Sequence, residues 1–384
     1  MTKKYTLMQV LYWAMFCSVY AFANTFLSSR GFSSTAVGAI IALSSFFSVL
    51  VQPLTAKIIE MYESVTVRNS LVFSMAVVVV NALLISFIND KFFVSVFFVL
   101  LITGLLNAQT YMYTFIFQYI NQGENVNFGI ARGMGSAAFA IASYFYGIIG
   151  SKVGFEFIPI WAMALSLLVI FVILSFKEIK EVSVNKKLEV KTNFIEFYHK
   201  YKKFCYVLLG MVFVFFTHNI LNTFMKNILE NLERGAQEVG IGFMIAAVVE
   251  LPAMFYIVKL NEKFGYAKLL KVSAIAFLVK IFITYIAVLT GNVMLFYIAQ
   301  ITQFAGYAIY VPVAVYYTND IMEEKDRVKG QAYMAVSGTI GSIIGNLLGG
   351  RIIEAYSLNT MLFISLIISI IGTVVVILNL EDRR

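Results

Sequence analysis

Apolar runs of about 20 residues follow one another along almost the whole chain, separated by short polar turns. A helix of about 20 residues crosses the roughly 30 Å hydrocarbon layer, and every backbone group must find its partner inside that helix. The pattern predicts twelve spans, over 5–27, 34–56, 67–88, 92–120, 127–150, 154–176, 204–226, 238–260, 266–289, 292–318, 330–355 and 359–379. One long polar stretch, 177–203, divides them six and six. The expected architecture is an all-α membrane protein of two six-helix halves, 1–176 and 204–384, joined by a basic loop over 177–203. The first span, with Lys3 and Lys4 before it and Ala21-Phe22-Ala23 near its end, has the outline of a cleavable signal peptide. Its run is longer than the 7–15 residues of a signal core, and a second span follows at once, so it is read as a retained helix.

Composition removes the soluble alternatives. Apolar residues make up 60% and charged residues 13%, against roughly 45–50% and 25% for soluble domains. Cys17 and Cys205 both lie in apolar runs, which offers neither a disulfide framework nor a structural zinc site, and no cofactor or metal is expected. A net charge of +8 raises nucleic acid as a partner, but such a domain would be polar and would gather its cations on one face. Membrane topology accounts for the excess: 21 Lys and Arg fall on the side of the two termini and the central loop, and six on the other. Both termini are therefore expected in the cytoplasm.

The halves are related to each other. Residues 35–60 align with 237–262 without gaps at an offset of 202, placing Gly38 on Gly240, Lys57 on Lys259 and Glu60 on Glu262. Residues 127–136 align with 328–337 at an offset of 201, matching Gly129 with Gly330, Ala131 with Ala332 and Ser136 with Ser337. Parallel repeats of this kind are how transporters place a midplane site between two halves; a duplicated bundle without transport is the plainer alternative.

Ionisable groups at membrane depth mark candidate sites, because burying them costs at least about 2.5 kcal/mol. Glu250 is the one acid of 21 placed in mid-span, about 18 Å into its helix at 1.5 Å per residue. Arg132, Lys280 and His218 accompany it in spans 5, 9 and 7. A static ion pair of Glu250 with Arg132 or Lys280 is the structural alternative, and Arg132 is near enough to a span end to snorkel. Polar residues also recur on single helix faces: Asn107, Tyr111, Thr114 and Gln118 in span 4; Asn219, Asn222, Thr223 and Lys226 in span 7; Gln300, Gln303, Tyr307 and Tyr310 in span 10; Trp13, Tyr20 and Asn24 in span 1. Each stripe could be an interhelical seam; stripes on spans 1, 4, 7 and 10 together suggest the wall of one wet cavity.

Glycines at 341, 345 and 349, and at 129 and 133, are spaced for close helix approach. The string Gly133-Met134-Gly135-Ser136-Ala137-Ala138 matches a dinucleotide fingerprint in letters alone, because it lies in an apolar helix and not between strand and helix. No Walker, HExxH or GxSxG motif occurs, so neither an ATPase nor a membrane hydrolase, nor any enzyme, is indicated.

These segments resemble the major facilitator superfamily, and within it the lactose permease-like oligosaccharide/proton symporters. GAIIALSSFFSVLVQPL with Glu60 is similar to that family's second helix and a reduced form of its loop 2/3 motif; by the resemblance and the repeat, Lys57, Glu60, Lys259 and Glu262 form a gating loop pair. NFGIARGMGS is similar to the fifth-helix segment whose arginine binds sugar hydroxyls, and VVELPAMF to the eighth-helix segment with the glutamate of sugar recognition. The resemblance thus implies a sugar site of Arg132 and Glu250, with Thr114 in place of the helix-4 glutamate. Asn219 and Asn222 replace the helix-7 aspartates, Phe139 the stacking tryptophan, and Lys280 the ninth-helix arginine. No His, Asp or Glu lies between Asn292 and Asn319, so the family's helix-10 proton pair is absent.

The expectation is a secondary transporter of the major facilitator fold, taking up a sugar or glycoside with a proton carried by Glu250. Arg132, Glu250, Asn107, Tyr111, Thr114, Phe139, Asn219, Asn222, Gln303, Tyr307 and Lys280 would line its substrate site. Two buried cations against one carboxylate would instead suit a small organic anion, and the Met- and aromatic-rich wall an exporter of amphipathic compounds. A sensor signalling through loop 177–203 is a further alternative. By resemblance the protein is a monomer in a bacterial inner membrane, without nucleic-acid partners.

Overall fold

A computed structural model describes residues 1–62, 65–177 and 194–381, with the side chains of 60, 194, 253–255 and 257–259 set aside. Most of the central loop, and the side chains of Glu60 and Lys259, lie outside the described residues. Among those described, every regular element is helical. Ten helices are long and apolar enough to cross a membrane, and a bent pair makes an eleventh. The expected eighth span corresponds to a helix of 29 residues, Ala236–Phe264. Phe73, Phe87, Phe92, Phe171 and Leu378 are each at least 70% exposed, as befits an integral membrane protein whose outer solvent is lipid.

In chain order the helices are α1 (Thr2–Phe16), α2 (Ala23–Ser29), α3 (Ser34–Met61), α4 (Val67–Phe87), α5 (Lys91–Asn121), α6 (Phe128–Val153), α7 (Phe157–Leu174) and α8 (Phe194–Lys200). They continue with α9 (Lys202–Thr223), α10 (Met225–Asn231), α11 (Ala236–Phe264), α12 (Tyr266–Thr290), α13 (Val293–Ile301), α14 (Tyr307–Ile321), α15 (Arg327–Ala355) and α16 (Leu358–Asn379). Their starts are chemically marked. Ser33, Thr66, Asp90, Asn127, Asn292 and Ser357 each accept a hydrogen bond from a first-turn amide, satisfying a donor the helix cannot.

The chain forms two units, Met1–Asn185 with Gly235–Met244, and Lys186–Arg234 with Ile245–Arg384. Both use the same neighbours. In the first, α1 packs on α6 and α7, and α4 on α7; in the second, α9 packs on α15 and α16, and α12 on α16. The likeness extends to backbone detail beyond the aligned strings. Phe22 ends a π-helical turn, Cys17–Ala21, with φ −95° and ψ 12°, and the first span bends by 49° there. Phe224, 202 residues later, interrupts the seventh with φ −99° and ψ 21°. Both rings are fully buried. Each short helix beyond the break closes alike: the Phe32 amide donates to the Leu27 carbonyl at 3.0 Å and that of Arg234 to Leu229 at 2.8 Å. The turn residues, Gly31 and Glu233, have φ of 75° and 57°. The tenth span, expected as one helix, is likewise broken, by a 3-10 turn over Thr302–Phe304 and by Gly306.

Close approach falls on part of the expected glycines. A Cβ on Gly341 would lie 2.5 Å from the Val212 carbonyl oxygen, and one on Gly345 2.6 Å from that of Phe216, so α15 presses directly on the α9 backbone. Gly129 and Gly133 do not act this way: Gly133 has nothing within 4 Å and Gly129 only Asn127 at 3.7 Å. The crowded glycines of α6 are instead Gly135, Gly147 and Gly150. Spacing alone cannot say which side of a helix meets a neighbour.

At the end of α2, the Arg30 guanidinium donates to the Glu156 carboxylate and to the carbonyls of Ile85 and Ile88, tying three helix ends together. In the second unit Lys200 Nζ lies 2.8 Å from Asp326 and 2.7 Å from Glu323, and the Tyr201 hydroxyl donates to Asp326 at 2.9 Å. These bonds fasten α8 to the turn before α15. The Asp326 and Glu323 carboxylates hold the Lys200 ammonium well above its usual range, and Lys200 in turn holds Glu323 below the carboxylate range.

Candidate functional site

Each unit carries a polar cluster in its apolar interior. In the first, Tyr5, Gln9 and Trp13 recur every four residues on α1 and so share a face. The Trp13 indole N–H donates to Gln9 Oε1 at 2.9 Å, and the Gln9 amide donates to the Tyr5 hydroxyl at 2.6 Å. Gln9 is fully buried, and these two bonds fix which way its amide points. From α6, the Arg132 guanidinium lies over the Trp13 ring, 4.1 Å from its centroid, and donates to Ser136 Oγ at 2.6 Å. Among the described residues it meets no carboxylate. Gly135 makes the stack possible, since a Cβ there would be 2.5 Å from Trp13 Cδ1. Phe139 meets Trp13 edge-on at 6.4 Å, and Phe16 stacks on Tyr20 at 5.0 Å.

On α5 the expected stripe divides. Asn107 is buried and accepts from Ser48 at 3.4 Å, and Tyr111 is buried beside it along the helix. Thr114 is exposed, and its hydroxyl donates to its own helix at Thr110.

The second cluster draws on four spans. Lys280 of α12, 1% exposed, donates from Nζ to Gln303 Oε1 at 2.8 Å; Gln303 Nε2 donates to Glu250 Oε1 of α11 at 3.0 Å. The ammonium and the carboxylate are thus linked through a neutral amide and not as the direct pair weighed from sequence. An amide suits this place because its oxygen accepts and its nitrogen donates, so one side chain compensates both ions. The 3-10 turn Thr302–Phe304 carries Gln303. Two residues past Glu250, Pro252 lies inside α11, where its missing N–H loosens the helix.

On α9, Asn222 Nδ2 is 3.1 Å from His218 Nε2, whereas Asn219 Nδ2 donates to its own helix at Phe215. The His218 ring lies parallel to Tyr307 at 5.3 Å and meets Phe277 edge-on at 5.0 Å. The structure therefore groups Glu250, Lys280, Gln303, Tyr307 and Asn222, and in the other unit Arg132 with Phe139. Gln9, Trp13, Ser136 and His218 complete the clusters; Gln9 has as its only sequence signal a buried-helix amide one turn from a tryptophan. Lys57 and Glu262 are exposed near the ends of α3 and α11.

The chain matches the MFS_1-like family over residues 3–364. Its fold is similar to that of a mutant of the nucleoside transporter NupG, with TM-score 0.84, 13% identity, and 99% and 100% of the two chains covered. A bacterial homologue of the human lysosomal transporter Spinster, inward-facing and unoccupied, gives 0.67, 14%, and 98% and 96%. A bacterial metal transporter gives 0.67, 12%, and 99% and 98%. No curated protein matches the chain. A match across almost the whole length, on a repeated bundle of membrane helices with a polar cluster in each half, means that the chain belongs to the MFS_1-like family of the major facilitator superfamily.

Proposed function

We propose that the protein is a secondary transporter that takes up a sugar or glycoside with a proton by alternating access. The carrying observation is the chain from Lys280 through Gln303 to Glu250. A carboxylate at membrane depth, bonded to the Gln303 amide, can take a proton or accept from a substrate hydroxyl, and either event competes with the Gln303 bond. Lys280 keeps a counter-charge at the other end of the amide. In the first unit Arg132 offers N–H donors over an aromatic platform of Trp13, with Phe139 at its edge, a combination that suits a ring bearing hydroxyls. Asn107, Tyr111, Thr114, Asn219, Asn222 and Tyr307 belong to the same proposed site.

The likeness in fold to a nucleoside transporter agrees with a glycoside, since a nucleoside is an N-glycoside. The distribution of Lys and Arg supports cytoplasmic termini, and the resemblance to lactose permease-like symporters suggests a bacterial plasma membrane, with Lys57, Glu60, Lys259 and Glu262 as gating residues on the cytoplasmic side. A monomer is the assembly proposed.

The test is proton uptake in weakly buffered proteoliposomes exposed to sugars, nucleosides and small carboxylic acids, with Glu250→Gln alongside. External alkalinisation with one glycoside, lost in the variant, is expected. Intact pH-dependent uptake by Glu250→Gln would remove the proton role. Arg132, which meets no carboxylate among the described residues, gives a second reading, a small organic anion; competition by carboxylic acids and not by glycosides would favour it.

A further inference from the structure

His218 supplies something that the relay beside it does not. The chain has two histidines, and this one is 6% exposed. Its Nε2 faces Asn222 Nδ2 at 3.1 Å. An amide nitrogen only donates, so Nε2 accepts, and the neutral ring then carries its proton on Nδ1. Nδ1 is buried and meets no acceptor among the described residues. The ring cannot easily turn to find one. It lies parallel to Tyr307, with an interplanar angle of 12°, and edge-on to Phe215 at 5.7 Å and Phe277 at 5.0 Å. Tyr307 is one turn past Gln303, and Phe277 one turn before Lys280, which places the unused donor beside the relay. A buried donor without a partner destabilises a protein, and such groups recur where a ligand completes the bond.

We propose that His218 contacts the transported solute, donating from Nδ1 to an acceptor oxygen or ring nitrogen of a glycoside, and that Asn222 is the positioning residue that sets its tautomer. The proposal rests on the transport reading and deepens it. Asn222 acts through the imidazole, so exchanging its amide for a carboxylate makes Nε2 the protonated nitrogen and turns Nδ1 into an acceptor.

Two measurements on the full chain test it. In a His199→Gln background, ¹⁵N-histidine spectra in lipid nanodiscs report His218 alone; the expected result is a protonated Nδ1 and an unprotonated Nε2, reversed by Asn222→Asp. A protonated Nε2 in the parent overturns the proposal. In proteoliposomes, uptake of labelled lactose, galactose, uridine and adenosine is then compared for His218→Asn, whose amide nitrogen stands near Nδ1, and His218→Gln, whose amide nitrogen stands near Nε2. With folding checked by thermal unfolding, His218→Gln is expected to raise KM by about tenfold and His218→Asn by much less. Equal impairment of the two overturns the proposal and leaves the transport reading standing. No uptake of any probe by the parent overturns both.

Discussion

Lys280 reaches Glu250 through the side-chain amide of Gln303, over two hydrogen bonds of 2.8 and 3.0 Å. The amide holds an ammonium and a carboxylate apart while compensating each. Replacing Gln303 with Leu strips both ions of a partner and is expected to cost about 3–5 kcal/mol. The triple variant Lys280→Met, Gln303→Leu, Glu250→Gln removes the charges as well. It should recover most of the unfolding temperature of the parent without recovering uptake, which thermal unfolding and vesicle flux would check.

Two glycines of one helix should respond in opposite ways. Gly133→Ala meets nothing within 4 Å and should stabilise α6 by about 0.5–1 kcal/mol. Gly135→Ala puts a methyl group 2.5 Å from Trp13 Cδ1, pushes the indole off Arg132 and should raise KM. With Trp161→Phe leaving Trp13 as the single tryptophan, a change in emission with Gly135→Ala and none with Gly133→Ala is the expected signature.

The matched turns after α2 and α10 place different residues at the positive-φ position. Gly31 adopts its positive φ without strain, whereas Glu233 holds a side chain at φ 57°. Glu233→Gly should therefore stabilise the protein by about 1 kcal/mol and Gly31→Ala destabilise it by a similar amount. Unfolding in mild detergent would compare them.

The fastening of α8 should not respond to pH near neutrality. A lysine raised by its acidic partners contributes fully below its ordinary value of about 10.4 and loses that contribution as pH rises through the higher folded one. A glutamate lowered by Lys200 contributes above about 4.3 and loses that as pH falls through its folded value. Lys200 and Glu323 therefore hold α8 from about pH 5 to 10. Amide protection over 194–200, corrected for intrinsic exchange, should be equal at pH 6 and 8 and fall in Lys200→Met.

Membrane class, the repeat and the isolation of Glu250 were legible in the chain because they depend on windows of about 20 residues meeting a hydrocarbon layer. The packing role of Gly341 and Gly345 was legible for a related reason, since small residues at helical spacing make one smooth stripe. Other features depended on which side of each helix meets a neighbour, and no single helix encodes that rotation. Thr114 and Asn219 share the periodicity of their stripes, yet their side chains bond to their own backbone. The stripe of span 10 was visible, but a break in the helix determines that Gln303 bridges Lys280 to Glu250. Phe22 and Phe224 carry no breaking chemistry of their own, yet both are fully buried at the points where two spans yield. Hydropathy thus placed the segments in the membrane by itself. Only packing decided which polar atoms met, because a hydrogen bond requires two helices at one height and one rotation.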